Sequence, residues 1–468
     1  MTEKTIASQL AGLITTTRQA DLPTATREAT VLHTLDTLGC ALAAVALDAV
    51  PFVRASYAER QVTGPSSVVG ADQGLPADMA AMVNGALSHA LDFDDTHAGS
   101  VVHITTATAP AALAVAEQAG SPGAEVVTAI ALGNEVSVRI GRAAGGQFHA
   151  RGFHPTGVCG IFGAVAAVAR LAGADAGQTR NAFGIAGSMA GGLLEFLADG
   201  SQSKPLHPGW AAHAAINAVW LARHGATGPA TVFEGNRGFF ASYLYGADVD
   251  LASITDSLGG QWLTEEIAFK PYPACHYVHA PLDALAEILA KEPISADEIE
   301  SLTAFTDETG VKLVLEPLAD KRVPRTAYDA KFSIPYVFGA QLVYGAVGVE
   351  TFTEQAIGDP AVLTVASLVD YEPRHYANRP DAFGGGVRLR TKDGRVYENE
   401  LRYQRGAPEN PLTVADVEAK YAANAALALS GAEATELRQF VLGLDHADSM
   451  APVTILRRAG NRRHDLAG

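Results

Sequence analysis

The densest collection of reactive side chains in this sequence lies between Asn84 and Glu117. There Asp92, Asp94 and Asp95, the hydroxyl of Thr96 and the imidazoles of His89, His97 and His103 fall within about one helix and one loop. Carboxylates and imidazoles in such proximity suit proton transfer, since histidine titrates near neutrality and a carboxylate can orient it. Met79, Met82, Val83, Leu87 and Leu91 recur at helical spacing, which puts Asp92 to His97 at or just past a helix end. Thr105 or Thr106 is expected to cap the next helix, with Pro110 in its opening turns. Any one of these residues alone reads as an N-cap or a satisfied core histidine. The whole group, held between two buried helix ends, reads as a site, because such polar groups are costly unless paired.

Four further stretches carry unusual polar groups. His154 lies in Gly152-Phe153-His154-Pro155, where the proline keeps it out of a helix. Lys204 lies in Gly200–His207 and is likewise pinned by Pro205. His276 and His279 follow a proline-rich turn, and Tyr336 follows Lys331-Phe332-Ser333. Together these are parts for chemistry on a small carboxylate: cations and hydroxyls to hold it, a base near neutral pKa, and an acid to return the proton. A buried Lys204 would offset charge on a carboxylate or a developing enolate. His213, His224 and His375 read as structural. A divalent cation on Asp92, Asp94, Asp95 and His97 is the physical competitor, but no second acidic cluster faces them in the helical part. HExxH, P-loop and dinucleotide fingerprints are also missing from the sequence, so no metal site is expected.

The elements that must position these residues are mostly helices. Leu10, Leu13 and Ile14, then Val31, Leu32, Leu35 and Leu38, begin a helical pattern that continues through Gln178–Ala190 and Pro208–His224. The character changes near Ala268: Lys270-Pro271-Tyr272-Pro273 is non-helical, with a helix expected only from Pro281. Ile299–Thr306 alternates as a strand, and Asp393-Gly394 joins Val387–Thr391 to Val396–Tyr403 as a hairpin. The fold class is therefore mainly α: a large all-helical domain over residues 1–267, a smaller α+β domain over 268–406, and C-terminal helices over 407–468 that return to the first.

The 468 residues are 48% hydrophobic, enough for two sizeable cores, and the net charge of −17 argues against nucleic acid or an acidic membrane as partner. An anionic substrate would then need a local basic pocket. Three scattered cysteines imply neither a disulfide framework nor a metal site. The first residues lack a leader-like pattern, and the longest apolar run noted, Ile161–Ala169, falls short of a membrane span, so a cytoplasmic protein is expected.

Asn84-Gly85 followed by His89-Ala90-Leu91-Asp92-Phe93-Asp94-Asp95-Thr96, then Gly152-Phe153-His154-Pro155-Thr156, Ser203-Lys204-Pro205 and Lys270-Pro271-Tyr272-Pro273, resembles the MmgE/PrpD family over nearly the whole chain. Its activities include 2-methylcitrate dehydratase, cis-aconitate decarboxylase and iminodisuccinate epimerase. The resemblance implies a homodimer, no metal or organic cofactor, and a pocket that includes Asp92, Thr96, His103, His154 and Lys204. The resemblance also makes the smaller α+β domain a lid domain, from which His276 or His279 and Tyr336 would come. One departure stands out: Ile104-Thr105 follow His103 where the family commonly has Pro-Ser, which bears on the substrate more than on the reaction class. The expected activity is a lyase on a small di- or tricarboxylate, with dehydration favoured and decarboxylation beside it. The alternative is an epimerase using two opposed bases. His103 and His154 would transfer protons, Lys204 and Thr96 would anchor carboxylates, and Asp92 would orient an imidazole.

Overall fold

The computed structural model describes residues 5–376 and 383–460. Met1–Lys4, part of the basis for expecting no leader, lie outside the described residues, as do short stretches of the two later expected domains. The chain divides into two compact units. One comprises the chain through Ala90, Asp94–Ile267, and the chain from Thr413; the other comprises Leu91–Phe93 and Ala268–Leu412. The division falls at Ile267/Ala268 and again at Leu412/Thr413. Leu91–Phe93, inside a stretch read as helical domain, belongs to the second unit, which no periodicity announced.

The first unit is built on α1 (Thr24–Ala46), α2 (Ala77–His89), α3 (Thr105–Ala119), α4 (Gly123–Ala143), α5 (Pro155–Leu171) and α6 (Leu206–Arg223). By length and composition α1 could cross a membrane, which the sequence reading overlooked; 89% of its apolar window is buried inside the protein, as in a core helix. Glycines let the helices cross closely. A Cβ on Gly85 of α2 would stand 2.8 Å from Gly209 Cα of α6, and one on Gly163 of α5 would stand 2.5 Å from the Gly133 carbonyl of α4. α5 starts at Pro155, because a proline at the first position loses no hydrogen bond and His154 serves as N-cap.

The second unit carries α7 (His276–Lys291), β1 (Ile299–Thr306), α8 (Ile334–Tyr344), β2 (Val369–Pro373), β3 (Gly385–Thr391) and β4 (Val396–Leu401). The sheet order is β2-β1-β3-β4, with β1 parallel to β2 and antiparallel to β3, and β3 antiparallel to β4. The hairpin turns at Gly394 with φ of 90°. Two expectations need correction. α7 starts at His276, not Pro281; Pro281 sits inside the helix, where its missing N–H forgoes one bond to the Tyr277 carbonyl. The short strand β2 was not read from Val369-Asp370-Tyr371-Glu372-Pro373, whose outward residues and proline mark an edge strand.

After the sheet the chain returns to the first unit as α9 (Val414–Ala426), which packs on α1. Tyr421 lies over Gly39, and the Lys420 ammonium meets the buried Asp36 carboxylate at 2.7 Å.

Candidate active site

His89 is the last residue of α2, and the chain then turns so that Asp94 comes back to it. The Asp94 oxygens lie 3.0 and 2.8 Å from His89 Nδ1. The same carboxylate stands 3.3 Å from Nδ1 of His103, which also meets the Thr96 hydroxyl at 3.2 Å. With Nδ1–H given to Asp94, the Nε2 of His89 is a lone-pair acceptor, and it has no hydrogen-bond partner among the described residues. The His89 ring meets His103 edge-on at 4.6 Å between centroids and stacks with His154 at 5.4 Å. Ring nitrogens of the three lie within 4.8 Å of one another. Such a trio could hold a divalent ion, with Asp94 backing two of its ligands; equally, it is a set of adjoining proton carriers.

The acidic cluster itself is dispersed among separate tasks. Asp95 Oδ1 accepts the N–H groups of Ile104 and Thr105 at 3.1 Å each, and Oδ2 stands 3.0 Å from His33 Nδ1. Asp95, not a threonine, therefore caps α3. The departure after His103 acquires a physical meaning here, because a proline at 104 would have no N–H for Asp95. The Thr105 hydroxyl accepts from Asn134 at 3.2 Å and is fully buried. His97 accepts the Ser100 N–H and holds Glu266 through its other nitrogen at 3.4 Å. The backbone N–H of His103 is donated to Thr156 on α5, tying this loop to the helix that His154 caps.

His154 Nδ1 and His207 Nδ1 are 2.9 Å apart, so one ring donates to the other. Burial, then the nearby charges of His89, Lys204, His207 and His103, pushes His154 well below its usual value. Burial and then Lys204 lower His207 to about 4. Burial also lowers His89 to about 4, against the pull of Asp94. Burial would raise Asp94, but the charges of and hydrogen bonds from His89 and His103 outweigh it and hold the carboxyl far below its usual range. The resting site thus holds an anionic Asp94 near the neutral imidazoles of His89 and His154, with the buried Lys204 supplying positive charge.

In the second unit Asp92 has φ of 53°, an uncommon conformation for a residue with a side chain. Lys270 Nζ donates to its Oδ1 at 2.7 Å and its carbonyl at 3.1 Å. Lys331 Nζ donates to the carbonyls of Leu91 and Pro273, both at 2.9 Å. Two buried lysines thereby fasten Leu91–Phe93 into this unit and hold the strained Asp92 in place. His279 donates to the Ala274 carbonyl at 3.1 Å, while His276 stacks flat on Phe383 at 4.8 Å with Gln404 at its Nε2. The Tyr336 hydroxyl is given to the Thr351 carbonyl at 2.6 Å, a structural bond.

A model of the MmgE/PrpD N-terminal domain matches residues 8–252, and one of the C-terminal domain matches residues 272–446. This chain belongs to the MmgE/PrpD family. The MmgE/PrpD chain is 30% identical to cis-aconitate decarboxylase of Homo sapiens over 432 residues, 90% of this chain and 88% of that protein. It is 29% identical to cis-aconitate decarboxylase of Mus musculus, over 75% of this chain and 72% of the relative. Similarity to the cis-aconitate decarboxylase-like protein oryM of Aspergillus oryzae is 24%, over 97% of both. Of the residues that the MmgE/PrpD motifs single out, Thr96, His103, His154 and Lys204 lie together in the first unit, and Asp92, His276, His279 and Tyr336 lie in the second. The carboxylate seen holding two imidazoles is Asp94, two residues beyond the Asp92 expected for that task. Sequence reasoning counted His89 in the cluster without giving it a role, and passed over His207 at the end of the Gly200–His207 stretch. Their signal was placement: His89 five residues before an aspartate across a helix end, His207 three after Lys204.

Proposed function

We propose that this chain is a lyase that removes carbon dioxide from a small tricarboxylate, cis-aconitate first among candidates, without a metal or organic cofactor. The observation that carries this reading is the buried set His89, His103 and His154 gathered ring to ring at Asp94, with the Lys204 charge acting on it. Relatives named cis-aconitate decarboxylase support the substrate class and shift the preference from water loss to carbon dioxide loss.

In such a reaction the bond from carbon to the departing carboxylate breaks, its electron pair forms a new double bond to the near carbon of the adjoining double bond, and the pair of that old double bond shifts to its far carbon. The far carbon of that double bond takes a proton. Lys204 and Thr96 hold carboxylates, and the lysine charge offsets the electron density that develops as the bond breaks. His154 delivers the proton, and His103, oriented by Asp94, assists as its partner. The same reading takes the enzyme to act as a homodimer in the cytoplasm, with no nucleic-acid or membrane partner.

A proton NMR time course in D2O with cis-aconitate, citrate, 2-methylcitrate and iminodisuccinate tests this. Carbon dioxide released from cis-aconitate, with one deuterium on the product carbon, is the expected result, and EDTA leaves the rate unchanged. His154→Ala and His103→Gln each lower turnover by about 100- to 10,000-fold. Water loss from 2-methylcitrate with cis-aconitate untouched would transfer the chain to the hydro-lyases. Exchange at one carbon without elimination would reject the lyase altogether.

A further inference from the structure

We propose that His207 is the relay through which solvent protons reach His154, resupplying the one proton that each decarboxylation consumes. The inference rests on the decarboxylase reading above. When a carboxylate leaves as carbon dioxide and a substrate carbon gains hydrogen, one proton is used per turnover, and the substrate does not supply it. Dehydration, by contrast, is proton-neutral. A decarboxylase with a buried acid therefore needs a route from bulk water, and His154 is only 4% exposed.

The geometry provides one. His207 is partly exposed and lines a cavity of about 600 Å³ together with Gly191, Gly192, Phe196, Ser203 and Leu206. Its Nδ1 lies 2.9 Å from Nδ1 of His154. Phe196 packs against both rings, at 6.3 Å from His154 and 6.4 Å from His207. Gly192, whose carbonyl accepts the His154 N–H, leaves room for the second ring: a Cβ there would stand 3.1 Å from His207 Cγ. Both rings are neutral at rest, which suits transfer by exchange of tautomers without a populated cation.

The step balances as follows. His154 gives its Nε2 proton to the substrate carbon, receives at Nδ1 the Nδ1 proton of His207, and His207 takes a proton at Nε2 from cavity water. One proton leaves solvent and one arrives on carbon. Between turnovers both rings turn, His154 bringing its new Nδ1–H to the substrate side and His207 its new Nε2–H to His154, so the next proton follows the same path with the two nitrogens of each ring exchanged and none enters from the substrate side.

The test is steady-state decarboxylation of cis-aconitate by the full-length enzyme and its His207→Ala and His207→Gln variants, with proton uptake followed in a pH-stat. With carbon dioxide swept out before it hydrates, the wild type takes up one proton per carbon dioxide. Both variants lose on the order of 100-fold in kcat with KM little changed, and their solvent deuterium isotope effect rises. Added imidazole restores His207→Ala saturably and abolishes the raised isotope effect, while His207→Gln, whose side chain fills the space, responds less. Wild-type kcat in both variants overturns the relay. A loss that imidazole does not repair, or one accompanied by a raised KM and lowered melting temperature, assigns His207 a structural role and overturns it too. A wild-type enzyme that releases no carbon dioxide removes the demand for the proton, and the decarboxylase reading and the relay fall together, visibly apart from any effect of the variants.

Discussion

At the scale of the residue, His89 illustrates how burial sets chemistry. Its ring is fully buried, and burial lowers its pKa from the usual 6.5 to about 4. An unfolded chain binds a proton there near pH 6.5, so between these values the unfolded state holds more protons and stability rises with pH. The contribution is complete above about pH 6.5 and lost progressively down to about pH 4, amounting to something on the order of 3 kcal/mol. His207 shifts in the same direction. Asp94, held far below its usual range, is ionised in the folded state throughout that window and leaves it to the imidazoles. Urea unfolding of the wild type should therefore show a midpoint that falls from pH 6.5 to 4.5, with a shallower fall for His89→Gln. Parallel pH profiles for the two would show that His89 is not buried neutral.

At the scale of the element, close helix crossings hold the site's walls together. α6 carries His207 in its first turn and Gly209 two residues on, where a Cβ would lie 2.3 Å from the Met82 carbonyl of α2, the helix that ends in His89. Gly209→Ala forces the two helices apart, because backbone cannot give as a side chain can. The expected cost is roughly 1–3 kcal/mol, with turnover falling as His207 and His89 separate. Gly431→Ala, at a helical glycine with nothing near its added carbon, is the control and changes stability by less than about 0.5 kcal/mol. Equal melting temperatures for Gly209→Ala and the wild type would contradict the crossing as described.

At the scale of the whole molecule, the chain leaves the first unit at residue 267 and comes back at Thr413 to complete its core. Lys420 of α9 answers the buried charge of Asp36 on α1, so a lysine near the far end of the chain neutralises a carboxylate placed near its start. Lys420→Met strands that charge and should cost roughly 3–5 kcal/mol in thermal or urea unfolding. The double variant Asp36→Leu/Lys420→Met removes both charges and should recover most of the loss, since a matched apolar pair has no desolvation penalty to overcome. Failure of the double variant to recover would mean that packing, not charge, joins these helices.

The sequence by itself determined the helical frame, the change of character near Ala268, β1 and the Asp393-Gly394 hairpin, because periodicity and turn chemistry are local and survive in one dimension. It also determined that Thr96, His103, His154 and Lys204 belong to unusual loops, since prolines after His154 and Lys204 bar those positions from a helix. Only tertiary structure decided what each polar group does. Asp92, Asp94 and Asp95 are near neighbours in sequence, yet one pairs with Lys270, the next holds two imidazoles, and the third caps α3. That division depends on partners brought from up to 178 positions away, and on a turn at Asp92 with positive φ that no local propensity encodes. The pairing of His154 with His207 likewise joins positions 53 residues apart, and it exists because α5 and α6 pack side by side.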